Sequence, residues 1–324
     1  MSTYKGIRGL TIRTVDGDHS PLITGDIWYN SVAKKIRGAK LVAAWASGGN
    51  MNNARSRRSG SAGTQTTALV HGGNSGTVEA YNESYDGSSW TEVADLPAKG
   101  YVGVGFGTST ASLVTAGINL SNSPSDTTIE WNGTGWSAGG DLASGARNYG
   151  AGAGLQTAGL IFGGAPPPKA YVESYNGSTW TEIADINTGR AGLAGLGTQA
   201  AALAVGGSAQ ALVESWNGTS WTEVGDLNTG IRGCSCSGTA TAGLASGGGV
   251  YTASSALTES WDGSSWTEVG DLATARQSSG SSPQGTSSLA LMSGGGTGSQ
   301  GESGLTGATE EWEVGASVQT VAFD

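Results

Sequence analysis

Cysteine, histidine and charge are all scarce in this chain. It has two Cys and two His, and charged residues make up 13% of the total. Cys234 and Cys236 are separated by one residue, too close to build a disulfide framework. A metal centre needs more ligands than they provide, and nothing in the sequence brings His19 or His71 to them. The pair reads as small residues on one face of a strand. No long apolar run occurs, which excludes a transmembrane helix and membrane insertion. Residues 1–25 lack the apolar stretch of a secretory leader, with Lys5, Arg8 and Arg13 spread among polar residues. Helical periodicity is essentially missing.

Glycine is abundant, with 57 in 324 residues, and the net charge is −10. The charge is uneven. Residues 1–60 carry ten basic and three acidic side chains, a net +7, which leaves −17 for the remainder. An acidic body disfavours nucleic acid and anionic membranes as partners. The basic front end suits either docking on an acidic surface or exposure as a solvated arm. The length allows one large all-β domain.

Three markers recur in phase. A strand ending in paired small residues occurs at Leu69–Gly73, Leu113–Gly117, Leu160–Gly164, Leu203–Gly207, Leu244–Gly248 and Leu291–Gly295. An aromatic follows a glutamate at Glu173–Tyr175, Glu214–Trp216 and Glu259–Trp261. It follows one residue closer at Glu130–Trp131, and in the first repeat it is either Tyr81 or Tyr85 after Glu83. A tryptophan then opens the last segment, at Trp90, Trp136, Trp180, Trp221 and Trp266. Asp86-Gly87, Asn132-Gly133, Asn176-Gly177, Asn217-Gly218 and Asp262-Gly263 join the last two markers, and such pairs predict type I′ hairpins. Three of these turns match glycosylation acceptors, but the hairpin alone explains them. With a small-residue segment ahead, such as 150–154 or 191–195, each repeat of about 45 residues reads as four strands, the content of a propeller blade.

Six Gly-pair strands face only five Asn/Asp-Gly turns. After the sixth, the aromatic strand at Glu310–Val314 has no tryptophan strand behind it. Trp45-Ala46-Ser47-Gly48-Gly49 aligns with Trp136-Ser137-Ala138-Gly139-Gly140 and supplies it from the other end of the chain. The expectation is an all-β, six-bladed β-propeller of four-stranded antiparallel blades, closed by pairing the N-terminal strand with the C-terminal blade. Its expected divisions are an arm at 1–36, a propeller at 37–315 and a tail at 316–324.

Gly pair, aromatic, tryptophan and then a basic residue entering the next blade (Arg55, Lys99, Arg147, Arg190, Arg232 or Arg276) together resemble the kelch repeat over residues 40–315. Ala116-Gly117 departs from the Gly pair. The repeat style and Gly25-Asp26-Ile27-Trp28-Tyr29-Asn30 also resemble virion and tail-associated proteins of marine bacteriophages. That likeness implies a virion structural protein made in the host cytoplasm, with the propeller projecting for host attachment or decoration. It further implies virion partners for the arm, through Lys5, Arg8, Arg13, Trp28 and Tyr29, a host glycan or protein as receptor, and a homo-oligomer. A cellular carbohydrate- or protein-binding kelch propeller is the alternative. A copper oxidase, which the kelch resemblance also suggests, needs His and Tyr ligands with a Cys–Tyr pair that two histidines do not supply.

No catalytic, metal or cofactor site is expected. Carboxylates repeated in every blade argue for structure, because catalysis needs one constellation with differing environments. Glu and Arg are expected to pair or to hold loop backbone, and Asp95, Asp141, Asp185, Asp226 and Asp271 to accept backbone hydrogen bonds. Recognition is expected on the loops that differ between repeats. These present Asn74, Asn119, Asn122, Asp126, Pro167, Lys169, Gln210, Tyr251, Gln300 and Glu302.

Overall fold

A computed structural model describes residues 13–18, 20–22, 26–57, 60–250, 253–298 and 301–320. The chain divides into two compact units: Met1–Ala44 with Glu313–Asp324, and Trp45–Trp312. The arm and the tail, expected as separate segments divided at 36/37 and 315/316, thus share one unit. In that smaller unit β1 (Arg13–Val15) pairs parallel with β2 (Ile27–Asn30), which pairs antiparallel with β3 (Lys35–Ser47).

The larger unit is built from repeated four-stranded antiparallel sheets. The first is β4 (Gly60–Gly63), β5 (Ala68–Asn74), β6 (Val78–Tyr85) and β7 (Trp90–Val93). The second is β8 (Val104–Gly107), β9 (Ser112–Thr115), β10 (Thr128–Trp131) and β11 (Trp136–Ala138). The third is β12 (Ala151–Leu155), β13 (Ala158–Phe162), β14 (Val172–Tyr175) and β15 (Trp180–Glu182). The fourth is β16 (Ala194–Gly197), β17 (Ala202–Val205), β18 (Val213–Trp216) and β19 (Trp221–Glu223). The fifth takes β20 (Ser235–Thr239) and β21 (Ala242–Ser246). A two-stranded ribbon, β22 (Gly249–Val250) and β23 (Ala253–Ser254), interrupts it before β24 (Thr258–Trp261) and β25 (Trp266–Glu268). A further sheet joins β26 (Gly280–Ser281), β27 (Leu289–Ser293), β28 (Thr309–Thr320) and β3.

The aromatic and tryptophan markers stand directly opposite each other across the last strand pair: Tyr85 faces Trp90, Trp131 faces Trp136, Tyr175 faces Trp180, Trp216 faces Trp221 and Trp261 faces Trp266. This resolves the first repeat in favour of Glu83–Tyr85. Ring centroids lie 4.7–5.4 Å apart in these pairs. Such pairs contribute about 0.5–1.5 kcal/mol each beyond simple burial. Trp45 and Trp312, 267 positions apart, make the same contact at 5.6 Å. Gly48 N–H donates to the Thr309 carbonyl beside it.

The hairpins between these strands differ from the type I′ expectation. Their loops hold four residues, and only the glycine takes a left-handed φ (92° to 97°). In the first, Asp86 Oδ1 accepts from the Ser88 and Ser89 N–H groups, which closes the loop without a left-handed φ at Asp86. Those donors hold the Asp86 carboxyl down at about 2.

The paired small residues explain how neighbouring sheets are tied. The first residue of each pair has φ between 55° and 66°, and the second between 80° and 117°. The second then donates its N–H to the connection entering the next sheet: Gly73 to Gly100, Gly117 to Arg147, Gly164 to Arg190, Gly207 to Ile231, Gly248 to Arg276 and Gly295 to Arg55. Ala116 therefore holds, at φ 60°, a conformation that glycine occupies in the other repeats. A left-handed alanine costs about 1–2 kcal/mol. Ala116→Gly is expected to stabilise the chain by about 1 kcal/mol in denaturant titration, even after the extra unfolded-state entropy of glycine.

Two residues beyond each of these acceptors the backbone turns left-handed again. Arg57, Val102, Tyr149, Gly192, Gly233 and Ser278 have φ between 50° and 68°. They are hydrogen-bonded head to tail. Each N–H donates to the carbonyl of the preceding member, and the Arg57 N–H donates to the Ser278 carbonyl, at 2.7–3.0 Å throughout.

Candidate functional site

The repeated charges were read as structural, and their geometry is that of a buried clasp. Arg55 meets Glu83, Arg147 meets Glu173 at 3.0 Å, Arg190 meets Glu214 at 2.9 Å and Arg276 meets Glu310 at 2.6 Å, all buried. Each glutamate also accepts a backbone N–H from the connection leading into its sheet, as from Ala143 to Glu173 and from Asn187 to Glu214. Burial lowers the affinity of the Arg147, Arg190 and Arg276 guanidiniums for their protons, and the facing carboxylates oppose that. Asp185, Asp226 and Asp271 accept from the Val172, Val213 and Thr258 N–H groups.

Arg232 and Lys99 do not occupy the clasp position. The inter-sheet hydrogen bonds identify Ile231 and Gly100 as the equivalents of Arg190, so each basic residue is displaced by one place. Lys99 instead meets Glu79 at 3.4 Å. Glu259 stays buried without an arginine, held by Asn228 N–H and Nδ2 at 2.8 Å each and by Thr229 N–H.

A second recurrent contact links neighbouring sheets. The Tyr85 hydroxyl donates to Glu311, and the Tyr175 hydroxyl donates to Glu130 at 2.7 Å. Burial first, then the bonded carboxylate, pushes each phenol up to about 12. The folded chain therefore holds these protons more tightly than the unfolded chain, whose tyrosines titrate near about 10. The resulting stability is fully present below pH 10 and is lost as pH rises from 10 through 12. Ultraviolet titration of the folded chain is expected to show Tyr85 and Tyr175 ionising late. The double substitution Tyr85→Phe and Tyr175→Phe is expected to remove them.

The loops after the Gly-pair strands adjoin the connections between sheets. Bridges join Asn74 to Ser56, Ile118 to Tyr101, Ala165 to Asn148, Gly249 to Arg232 and Gly296 to Gln277. Among the expected recognition residues, Asn119, Asn122, Pro167, Gln210 and Glu302 are exposed, and Asn74, Asp126 and Lys169 are half-buried. Asn119 caps its own loop by accepting from the Ser121 and Ser123 N–H groups, and Lys169 sits over the Tyr171 ring at 5.2 Å. Tyr251, Gln300, Lys5 and Arg8 lie outside the described residues. Arg13 is in β1, Tyr29 is half-buried, and Trp28 is 1% exposed, so its indole packs internally instead of presenting an anchor.

Two of the expected loop residues, Asn122 and Glu302, meet a cluster centred on Arg57 and Tyr149, which the sequence does not mark out. The head-to-tail turn residues line a cavity of about 70 Å³ together with Leu193 and Cys234. Gly60, Gly105, Gly152, Gly195, Cys234 and Cys236 line a neighbouring cavity. Arg57 donates to the Tyr149 hydroxyl at 3.0 Å, packs over the Tyr101 ring at 5.7 Å and meets Glu302 at 2.9 Å. Arg232 packs over the Tyr149 ring at 5.6 Å. Tyr101 in turn donates to Asn122 Oδ1 at 2.7 Å. Burial raises the Tyr149 phenol, and the two guanidiniums oppose that. The available signal was a departure from the repeat: Arg57 and Tyr149 stand where Gly192 and Gly233 stand in other repeats.

The residues suggested by the oxidase alternative are dispersed. The cysteines line the glycine-walled cavity, whereas His71 is buried against Asn82 and edge-on to Trp136. His19 lies outside the described residues. Among the described residues, no three His, Cys, Asp or Glu side chains cluster as metal ligands would.

No protein-family profile matches the sequence, and no curated protein matches it either. Solved structures do match, 533 chains in all, and so widely shared a scaffold does not by itself specify a function. One is the structure of YjhT, at a TM-score of 0.66 and 14% identity, covering 84% of this chain and 99% of that one. The likeness shows the fold alone, a β-propeller-like arrangement of repeated sheets.

Proposed function

We propose that the chain is a closed, six-bladed kelch-like propeller acting as a non-enzymatic recognition and attachment protein, part of a bacteriophage virion. Closure is supported by the head-to-tail hydrogen bonds that return from Ser278 to Arg57, and by Trp45 packing on Trp312 as the sixth aromatic pair. On this reading β22 and β23 form a loop excursion of the fifth blade. The virion assignment rests on the repeat style and the Gly25–Asn30 segment; the recognition assignment rests on the variable loops. One observation carries the latter: sixfold-equivalent positions around the cavity that Arg57 lines hold unlike side chains (Arg57, Val102, Tyr149 and Ser278), while the clasps beneath repeat. A scaffold that repeats below and diverges at one face is suited to binding.

Immunogold electron microscopy of particles from the source, with antibody against residues 45–312, tests the reading. Label at tail or fibres is expected. Particles without label would overturn the virion role and favour a cellular carbohydrate- or protein-binding propeller.

A further inference from the structure

We infer that the cavity lined by Arg57 and Tyr149 is a carboxylate-binding subsite in which Glu302 occupies the place of the ligand. This deepens the proposed recognition role by naming the ligand chemistry. The body of the chain is acidic, yet this site brings together two guanidiniums, Arg57 and Arg232, with Tyr149 between them. The Arg57 side chain is 13% exposed, so its charge acts in a partly desolvated setting where a bound anion is poorly screened. Planar guanidinium matches planar carboxylate through paired donors. The site already selects that group, since Arg57 holds the Glu302 carboxylate at 2.9 Å.

Glu302 is well placed to give way. Its side chain is 57% exposed, and the adjacent Ser303 is bridged to Thr297. An exposed carboxylate of this kind is weakly held. Size limits what enters. A cavity of about 70 Å³ is far smaller than the roughly 300–1,000 Å³ of pockets that enclose a whole ligand, so it admits a terminal group only. The rest of the ligand would remain outside, over Tyr101 and the loop that carries Asn122.

Calorimetric titration of the full chain with sodium succinate tests this. Glu302→Gln is expected to bind succinate at least tenfold more tightly than the unaltered chain. Adding Arg57→Asn to Glu302→Gln is expected to lose that binding at least tenfold; asparagine tolerates the left-handed φ of 51° that Arg57 adopts. Arg232→Gln, at a position without that backbone demand, is expected to weaken succinate as well. An unchanged affinity in Glu302→Gln would overturn the inference. So would succinate binding that survives loss of both arginines, or inorganic phosphate binding more tightly than succinate. Particle labelling without any succinate response would sink this inference alone, and succinate binding by a chain absent from particles would sink the virion assignment alone.

Discussion

Glu214→Leu is expected to destabilise the chain by about 3–5 kcal/mol, the range for removing one partner of a buried ion pair. Glu214 is buried and performs two tasks. It neutralises Arg190, and it accepts from the Asn187 N–H at 2.6 Å, Asn187 Nδ2 at 2.8 Å and the Thr188 N–H. Leucine leaves all of these donors and a buried guanidinium without their acceptor. Arg190→Ile removes the other partner and is expected to cost less. The molecule contains that arrangement already: Ile231 stands at the equivalent place, and Glu259 beside it is held by Asn228 and Thr229. Thermal unfolding should show the difference, with Glu214→Leu lowering the midpoint by on the order of 10 °C. Equal losses would mean that the ion pair, and not the grip on the connection, is what each clasp contributes.

Deleting residues 1–51 is expected to abolish the cooperative unfolding transition, whereas deleting 1–44 is expected to leave it. The longer deletion removes Trp45 from Trp312, the Gly48 N–H from the Thr309 carbonyl and the Met51 N–H from the Gly307 carbonyl. Strand β28 then keeps β27 but loses β3 on its other edge, and Trp312, now 1% exposed, faces water. An unpaired apolar edge of this kind recruits other chains, so aggregation should accompany the loss. The shorter deletion keeps Trp45 to Met51 in place. Calorimetry of the two shortened chains separates these outcomes. If the chain lacking 1–51 still melted in one sharp transition, the terminal strand would not be what completes the last sheet.

Much of this architecture is legible in the sequence because it repeats. Each Gly pair, aromatic and tryptophan meets the same backbone demand in successive sheets, so periodicity exposes it, and even the match of Trp45 to Trp136 follows from alignment alone. The buried Glu and Arg clasps were foreseeable for the same reason. Single-residue offsets were not. Arg232 and Lys99 look equivalent to Arg190 by sequence, and only the hydrogen bonds of Gly207 and Gly73 show that Ile231 and Gly100 fill that place. The type I′ expectation failed on a comparable detail, since two further residues after the glycine lengthen each loop to four and an aspartate or asparagine side chain closes it.

The sequence by itself therefore determined the repeat unit and its four strands, because these depend on local spacing and recur. Only the tertiary structure decided that Arg57, Tyr101, Tyr149, Arg232 and Glu302 share one site. Those residues are far apart in the chain and unlike one another, and they meet only because the left-handed turns are hydrogen-bonded head to tail.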